Sequence, residues 1–475
     1  MFPKFLSYFL TFLLTYIFKK PSDFGANPEL FAYISFMNIL FTYGMETAFF
    51  NFSSRKENKQ EVYNTALISL MVSTLGLTGL LFLFSGMIGR WLEYADRMNY
   101  IYWTILIIGA DAITAIPFAR LRLENKAKKF AAIKALNVII NVALTIFFLV
   151  FCKNAYEAHE QSFLATLYNP EIGIGYSFLA TLLANLCTMI MLYKEFMQFS
   201  WQFNKELWLE MIAYAWPLLI LGFAGMINET FDRIIIKKLL PEDIGSEAQG
   251  IYGACYKIAI LMTVFIQAFR YAAEPFFFKQ AKEKNSTRTL AVVMKFFVIF
   301  CSFLFLGTMM NMPWIRFLVS EQYRSGLGVV PILMLANLFL GVYINLSIWF
   351  KLTGQTKIGA MITIVGAVIT LIINFTFVPA YSYMACAWAT LAAYGSMMLI
   401  AYFLGQKYYP VKYNLRSMFF FFLAALGFYL ISLLWAGLES AFIKIILNNL
   451  FVILFAWLFY KLEFSNLKQL KNQEA

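Results

Sequence analysis

Histidine is nearly missing from this chain: His159 is the only one in 475 residues. The five cysteines, Cys152, Cys187, Cys255, Cys301 and Cys386, are scattered in or beside apolar runs, with no C-x-x-C pair among them. That excludes zinc-type ligand spacing and a disulfide framework, so no metal and no cofactor is expected. No G-x-x-x-x-G-K-[ST] sequence occurs, which excludes nucleotide hydrolysis through a P-loop. Charge is scarce too. Asp, Glu, Lys and Arg make up 13% of the chain, against a soluble norm of roughly 25%.

What replaces the charge is apolar surface: 61% of the residues are hydrophobic and 19% aromatic. Runs near the roughly 20 residues that one membrane crossing needs recur from end to end. They read as fourteen spans, at approximately 3–18, 30–50, 62–86, 100–119, 131–151, 174–193, 208–231, 251–275, 290–311, 329–350, 358–378, 384–404, 417–435 and 441–460. The expected class is an all-α polytopic membrane protein whose principal surrounding partner is the lipid bilayer. With the N-terminus inside, the inner loops and tails hold 23 Lys and Arg against ten outside, so the positive-inside rule places both termini in the cytoplasm. The net charge of +12 is mostly that topological bias and calls for no nucleic-acid partner. The first span is short and begins almost at Met1, with too little charged flank and no small-residue cleavage site for a signal peptide. Either a start further upstream or an atypical first helix accounts for it.

The punctuation between spans repeats. KKPSDFG (19–25) returns as KKLLPEDIG (237–245), keeping Lys-Lys and Pro-x-Asp-x-Gly. GMETAFFNFSSRKENK (44–59) returns as AAEPFFFKQAKEKN (272–285), with Glu46 matching Glu274, and RLENKAK (122–128) returns as KLTGQTK (351–357). The offsets are 220, 228 and 229 residues. Six spans fit in each offset, an even number, so both copies sit the same way up. This predicts two parallel six-helix lobes, 1–205 and 206–410, with two additional helices and a tail over 411–475. Such repeats usually close around a midplane cavity and alternate its exposure.

At this point the residues resemble a known family. Asp232-Arg233 followed by LPEDIG and IYGACYKIAIL (251–261), and Asn374-x4-Pro379-x-Tyr381 leading into ACAWATLAAY (385–394), look like the oligosaccharide flippases of the multidrug/oligosaccharidyl-lipid/polysaccharide (MOP) exporter superfamily, polysaccharide-biosynthesis branch. The resemblance covers nearly the whole chain. It implies a MOP/MATE-like fold in the bacterial inner membrane, with spans 1, 2, 7 and 8 lining a central cavity. It implies a cargo, a glycan on undecaprenyl diphosphate carried from the cytoplasmic to the periplasmic leaflet, as for O-antigen-type repeat units. It implies working partners in polysaccharide assembly, such as a glycan polymerase. The chain departs from the family in its short first helix and in Tyr381-Ser382-Tyr383-Met384, which stands where a run of small residues is usual.

An ionisable side chain at the bilayer centre costs at least about 2.5–3.5 kcal/mol on insertion scales, so depth decides how much each charge has to explain. Asp111 is the deepest, about 16 Å from the outer end of its span at 1.5 Å per residue. It reads as a proton, cation or substrate site, as a latch whose protonation biases inward against outward states, or as an acid satisfied by polar neighbours. Arg270 and Glu274, with Gln267, share one face of span eight by their spacings of three and four. Arg270 suits a diphosphate because its fork makes bidentate contacts; the alternative is a self-contained ion pair with Glu274. Lys257 points elsewhere on that helix, into a cavity or snorkelling outward. Glu46 and Glu274 form a matched pair of acids for an inner gate, with Arg55, Arg270 or Arg288 as partners for the pair; the alternative for Glu46 is a helix-end acid satisfied by nearby basic loops. Glu229, Asp232 and Arg233 in INETFDRIII (227–236) fall at the outer end of span seven, on one helical face by their spacings of three and four, and read as an outer-mouth gate. Pro217 is the hinge candidate. Lys134 and Lys295 read as snorkelling residues near cytoplasmic helix starts.

Two other functions compete. A multidrug/cation antiporter on the same fold would have a cavity dominated by acids. A membrane glycan polymerase or ligase would need a large outer loop with catalytic groups, and the longest, 152–173, offers only His159 with Glu157, Glu160 and Glu171.

Overall fold

The structure is a computed structural model, and it describes residues 2–159, 161–280, 286–435, 437–438 and 440–464. Helices fill it, and no strand occurs among the described residues. In chain order the main ones are α1 (Phe2–Ile17), α2 (Pro21–Thr42), α3 (Met45–Arg55), α4 (Lys59–Leu83), α5 (Met98–Leu123), α6 (Ala127–Ile146), α7 (Tyr176–Met191) and α8 (Lys205–Thr230). They continue with α9 (Asp232–Leu239), α10 (Glu242–Gln280), α11 (Ser286–Met310), α12 (Val329–Leu346), α13 (Thr356–Tyr381), α14 (Tyr383–Tyr408), α15 (Leu415–Ser432) and α16 (Ala441–Phe459). Among the described residues twelve helices are long and apolar enough to cross a membrane. Helix α1, apolar over Tyr8–Ile17, and the pair α2 and α3 make up the fourteen passes expected.

Helix boundaries follow local chemistry. Asn58, Asn204 and Asn414 accept hydrogen bonds from the backbone N–H of Glu61, Leu207 and Ser417, at 3.2, 3.0 and 3.1 Å, each capping an orphan donor at a helix start. The repeated Pro-x-Asp-x-Gly is a helix-start signal as well. Pro21 stands at the first position of α2 with Asp23 in its first turn, where a missing N–H is harmless and a negative charge meets the positive end of the helix. Its second copy, from Pro241, opens α10.

The span read as continuous over 30–50 is two helices. Tyr43 and Gly44 both take left-handed backbone angles, φ +33° and +74°, and end α2 before α3 begins. A side chain on Gly44 would come within 2.9 Å of the Ala215 carbonyl oxygen on α8, so the break is also the point of closest approach. Span seven is divided more gently, by a turn at Phe231 between α8 and α9 where the backbone keeps right-handed angles, φ −63° and ψ −31°. The Tyr381–Tyr383 junction turns on a single residue, Ser382, at φ +51° and ψ −143°, a region almost reserved for glycine and costing of order 1–3 kcal/mol.

By internal contacts the chain forms two compact units, Met1–Gly253 and Ala254–Ala475, with the boundary inside α10. The repeat halves are a division by sequence likeness, a separate matter from this one by contact. In the first unit Met45, Ala48 and Phe49 of α3, Tyr63, Leu67 and Leu70 of α4, Ile116 and Ala119 of α5 and Met211 and Ala215 of α8 share one core. Close to it in chain order, α2 and the start of α10 approach through glycines. A Cβ on Gly25 would meet Ser246 O at 2.5 Å, and one on Gly253 would meet Pro28 Cγ at 2.7 Å. Small residues at such crossings let helix backbones touch in a membrane.

In the second unit α12 lies against α14, and α11 against α12, α15 and α16. Phe265 and Phe269 of α10 stack around Phe297 of α11, at 6.0 and 4.7 Å between ring centres. The last two helices are the least covered, with 17% and 11% of their most apolar windows buried, so most of their surface is left for lipid. All five cysteines are free; four are buried and Cys187 is half-buried.

Candidate functional site

Charged and polar side chains of the first unit gather at three stations along α2–α3 and α5. The station at the start of α2 centres on Glu29, which is fully buried, and Lys237 of α9, 5% exposed. Lys237 Nζ lies 3.4 Å from Glu29 Oε2 and donates to the Leu92 carbonyl at 3.0 Å. The Tyr94 hydroxyl donates to Glu29 Oε2 at 2.6 Å, and Lys237 sits 4.2 Å above the Tyr94 ring. Glu29 Oε1 is buried without a hydrogen-bond partner. Glu93 extends the group, 3.3 Å from Lys237 and 3.1 Å from Lys238. Burial would raise the Glu93 carboxyl, but the Lys238 hydrogen bond and the charge of both lysines outweigh it and hold it below the usual carboxylate range.

The middle station is Asp111, midway along α5. Asn38 of α2 and Asn185 of α7 donate one amide N–H to each of its oxygens, at 3.3 and 2.9 Å. Asn137 of α6 then donates to Asn185 Oδ1 and Thr188 Oγ1, both at 3.0 Å, so one hydrogen-bonded chain ties four helices at mid-depth. Lys134 supplies the opposing charge felt by Asp111, with its ammonium 4.1 Å over the Phe118 ring. Asn38 Oδ1 is buried with no partner, which leaves this network one acceptor still to satisfy.

At the far end, Glu46 of α3 pairs with Arg122 of α5, and not with the residues expected from sequence. Arg122 also lies 5.1 Å from the Phe50 ring and 5.3 Å from the Phe130 ring. Beside it Lys129 donates to both oxygens of the buried Glu195, at 2.7 and 2.8 Å. Arg120 bonds Glu124 at 2.7 Å and covers the Tyr63 ring at 4.3 Å.

The three charges of INETFDRIII do not act as one face. The break at Phe231 leaves Glu229 exposed on α8, while Asp232 on α9 is 5% exposed and accepts from the Tyr252 hydroxyl and, at 2.8 Å, from the Arg233 backbone N–H. The Arg233 carbonyl in turn accepts from Gln249. Pro217 sits inside α8, which runs through it unbroken; its missing N–H withholds the donor that would serve the Ala213 carbonyl.

In the second unit Lys257 and Arg270 are half-buried on α10. The Arg270 guanidinium lies 5.6 Å from the Tyr271 ring, and its Nε is buried without a hydrogen-bond partner. The Glu274 side chain lies outside the described residues. Lys295, expected to snorkel, is instead buried and pairs with Glu463 at 2.5 Å, whose other oxygen accepts from Ser417 at 2.5 Å. Among the described residues no cluster of three or more His, Cys, Asp and Glu is arranged to hold a metal.

Residues 4–281 match the family model described as "Polysaccharide biosynthesis protein". The chain belongs to that family. The match covers all three stations and the whole of α10, Arg270 included. Among solved structures, this polysaccharide biosynthesis protein is similar to "Lipid II flippase MurJ, inward closed conformation", at 17% identity and TM-score 0.73, over 97% of this chain and 98% of that one. It is also similar to an inward-facing multidrug resistance MATE family transporter of the MOP superfamily, at 14% identity and TM-score 0.63, over 84% and 93% of the two chains. The fold is that of the MOP superfamily. No curated protein sequence matches the chain.

The sequence singled out Asp111, which stands midway along α5, but missed Glu29 and both asparagines that bind Asp111. Glu29 had a visible signal, an acid opening an apolar run next to the repeat motif. Asn38 and Asn185 had none, since uncharged amides 147 residues apart carry no mark of meeting.

Proposed function

We propose that this polysaccharide biosynthesis protein is a flippase that moves a polyprenyl-diphosphate-linked oligosaccharide from the cytoplasmic to the outer leaflet by alternating access, and that it works as a transporter without chemistry on the glycan. The family match supports a glycan cargo. The likeness to a flippase along 97% of the chain, against 84% for the MATE transporter, favours a flipped lipid over a soluble drug or cation. The residue-level observation that carries the reading is Arg270: a buried guanidinium edge with an unused donor, near the end of a membrane-spanning helix, is what a diphosphate needs for charge-assisted, bidentate binding. Both termini then face the cytoplasm, and Lys257 lies on the same cargo-binding helix as Arg270.

In this reading Glu46–Arg122 is an inner ion pair that opens and re-forms with each cycle, with Glu274 as its repeat counterpart on α10. Glu229, Asp232 and Arg233 belong to the outer closure, Pro217 to its hinge, and Asp111 couples the helices between them. The test is a gene deletion complemented by wild type or Arg270→Ala, with lipid-linked glycans labelled and sided. Complete carrier-linked units should accumulate on the cytoplasmic face in the deletion and with Arg270→Ala, while that variant remains inserted at wild-type abundance. Normal export in the deletion strain would sink the flippase reading, and full activity of Arg270→Ala would sink the role of Arg270.

A further inference from the structure

The first copy of the Lys-Lys motif has no place in the stations above. Lys19 and Lys20 line a cavity of about 670 Å³ in the first unit, inside the roughly 300–1,000 Å³ range of small-molecule sites. Its walls are the end of α1 and the start of α2, Arg97 ahead of α5, the turn after α6 with Lys153, Asn154 and Glu157, and the segment before α7 with Tyr168. Four cations face two acids, Asp23 and Glu157. Lys153 is engaged, 3.7 Å from Glu157 and 3.4 Å from the Ile17 carbonyl. Lys19, Lys20 and Arg97 are exposed and have no ion pair within 4.0 Å among the described residues. The N-terminus of the 22-residue α2 adds its positive end at Lys20.

The rest of the wall is not that of a phosphate site. Tyr16, 47% exposed, and Tyr168 bring aromatic residues into the lining. Asp23, Asn154 and Glu157 are acceptors that oppose a bare anion but suit hydroxyl groups. Cations, aromatic surface and hydroxyl acceptors in one pocket fit a sugar that also carries a carboxylate.

We propose that this cavity binds an acidic saccharide, a uronate-bearing stretch of glycan, through Lys19, Lys20 and Arg97, with Asp23 and Asn154 taking its hydroxyls. The proposal rests on the glycan-cargo reading above and adds a second, outer-facing glycan site with a preference for negative charge. Such a site would hold the saccharide after it has crossed.

The experiment uses the full chain in lipid nanodiscs, titrated with a galacturonate trisaccharide, with maltotriose and with inorganic phosphate. Saturable binding of the galacturonate is expected, with maltotriose much weaker and phosphate not competing at equal concentration. Replacing Lys19 and Lys20 together by Gln, or Arg97→Gln alone, should weaken the galacturonate by about tenfold each, with elution volume and circular dichroism unchanged. Equal affinity for maltotriose, displacement by phosphate, or wild-type binding by both variants would overturn the site. Because binding is read without transport, galacturonate binding that survives in a chain unable to flip lipid-linked glycan would leave this site standing and remove the transport reading. Flipping that survives the loss of binding would do the reverse.

Discussion

The two Lys-Lys pairs that mark the internal repeat have opposite fates. Lys237 and Lys238 close onto Glu29, Glu93 and the 91–92 backbone, while Lys19 and Lys20 stay exposed at the rim of a cavity. The motif around them does the same work in both copies, starting a helix with proline and bringing glycine to a close crossing. What differs is the company each pair keeps. An acid buried in α2 faces α9, and no equivalent acid meets the first pair. One Lys-Lys pair is held in buried ion pairs, and the other is the pair to which the proposal above gives a ligand.

The largest test of this contrast is to remove one lysine from each copy. Lys237→Met leaves Glu29 charged and buried and should cost about 3–5 kcal/mol, whereas Lys20→Met should stay within about 0.5 kcal/mol. Both are measurable by denaturant unfolding in mixed micelles, and equal losses would erase the distinction. The double replacement Glu29→Gln with Lys237→Met should recover most of the loss, since no unpaired charge remains.

A smaller effect compares the fixed pair with the mid-depth network. Asp111→Ala removes the acceptor for Asn38 and Asn185 and should cost about 1–3 kcal/mol, with Asp111→Asn costing less because it keeps one acceptor oxygen. Equal losses in the two variants would mean the carboxylate's charge, and not its hydrogen bonding, organises the site.

The smallest effect is at Glu93. Its side chain is 33% exposed, so its lysine pairing should contribute less than about 1 kcal/mol. Because the folded-state carboxyl is held below its ordinary 4.5, that contribution is complete above 4.5 and fades as pH falls through the lowered folded value. Glu93→Gln should flatten this part of the stability–pH curve; an unchanged curve would show that the lysines serve Glu29 alone.

Much of the architecture was legible because membrane crossing imposes a length and a composition on every span. The fourteen passes and the mid-span place of Asp111 follow from counting along the chain, whereas the helix starts at Pro-x-Asp-x-Gly did not, because a motif that polar reads as a loop between apolar runs. The break at Tyr43–Gly44 was not legible, since hydropathy is blind to a two-residue change of backbone angle that keeps the chain apolar. Partner choice was the least legible. Glu46 finds Arg122 and Lys295 finds Glu463, 76 and 168 residues apart, and only helix packing selects these from many possible mates.

The five cysteines, four of them buried, have an experimental consequence. Their thiols offer little to a membrane-impermeant maleimide, since labelling needs an accessible thiolate. The native chain is therefore a quiet background for single introduced cysteines, and a reporter at Lys19 in one variant and at Lys412 in another can assign each loop to its side of the bilayer without first rebuilding the protein.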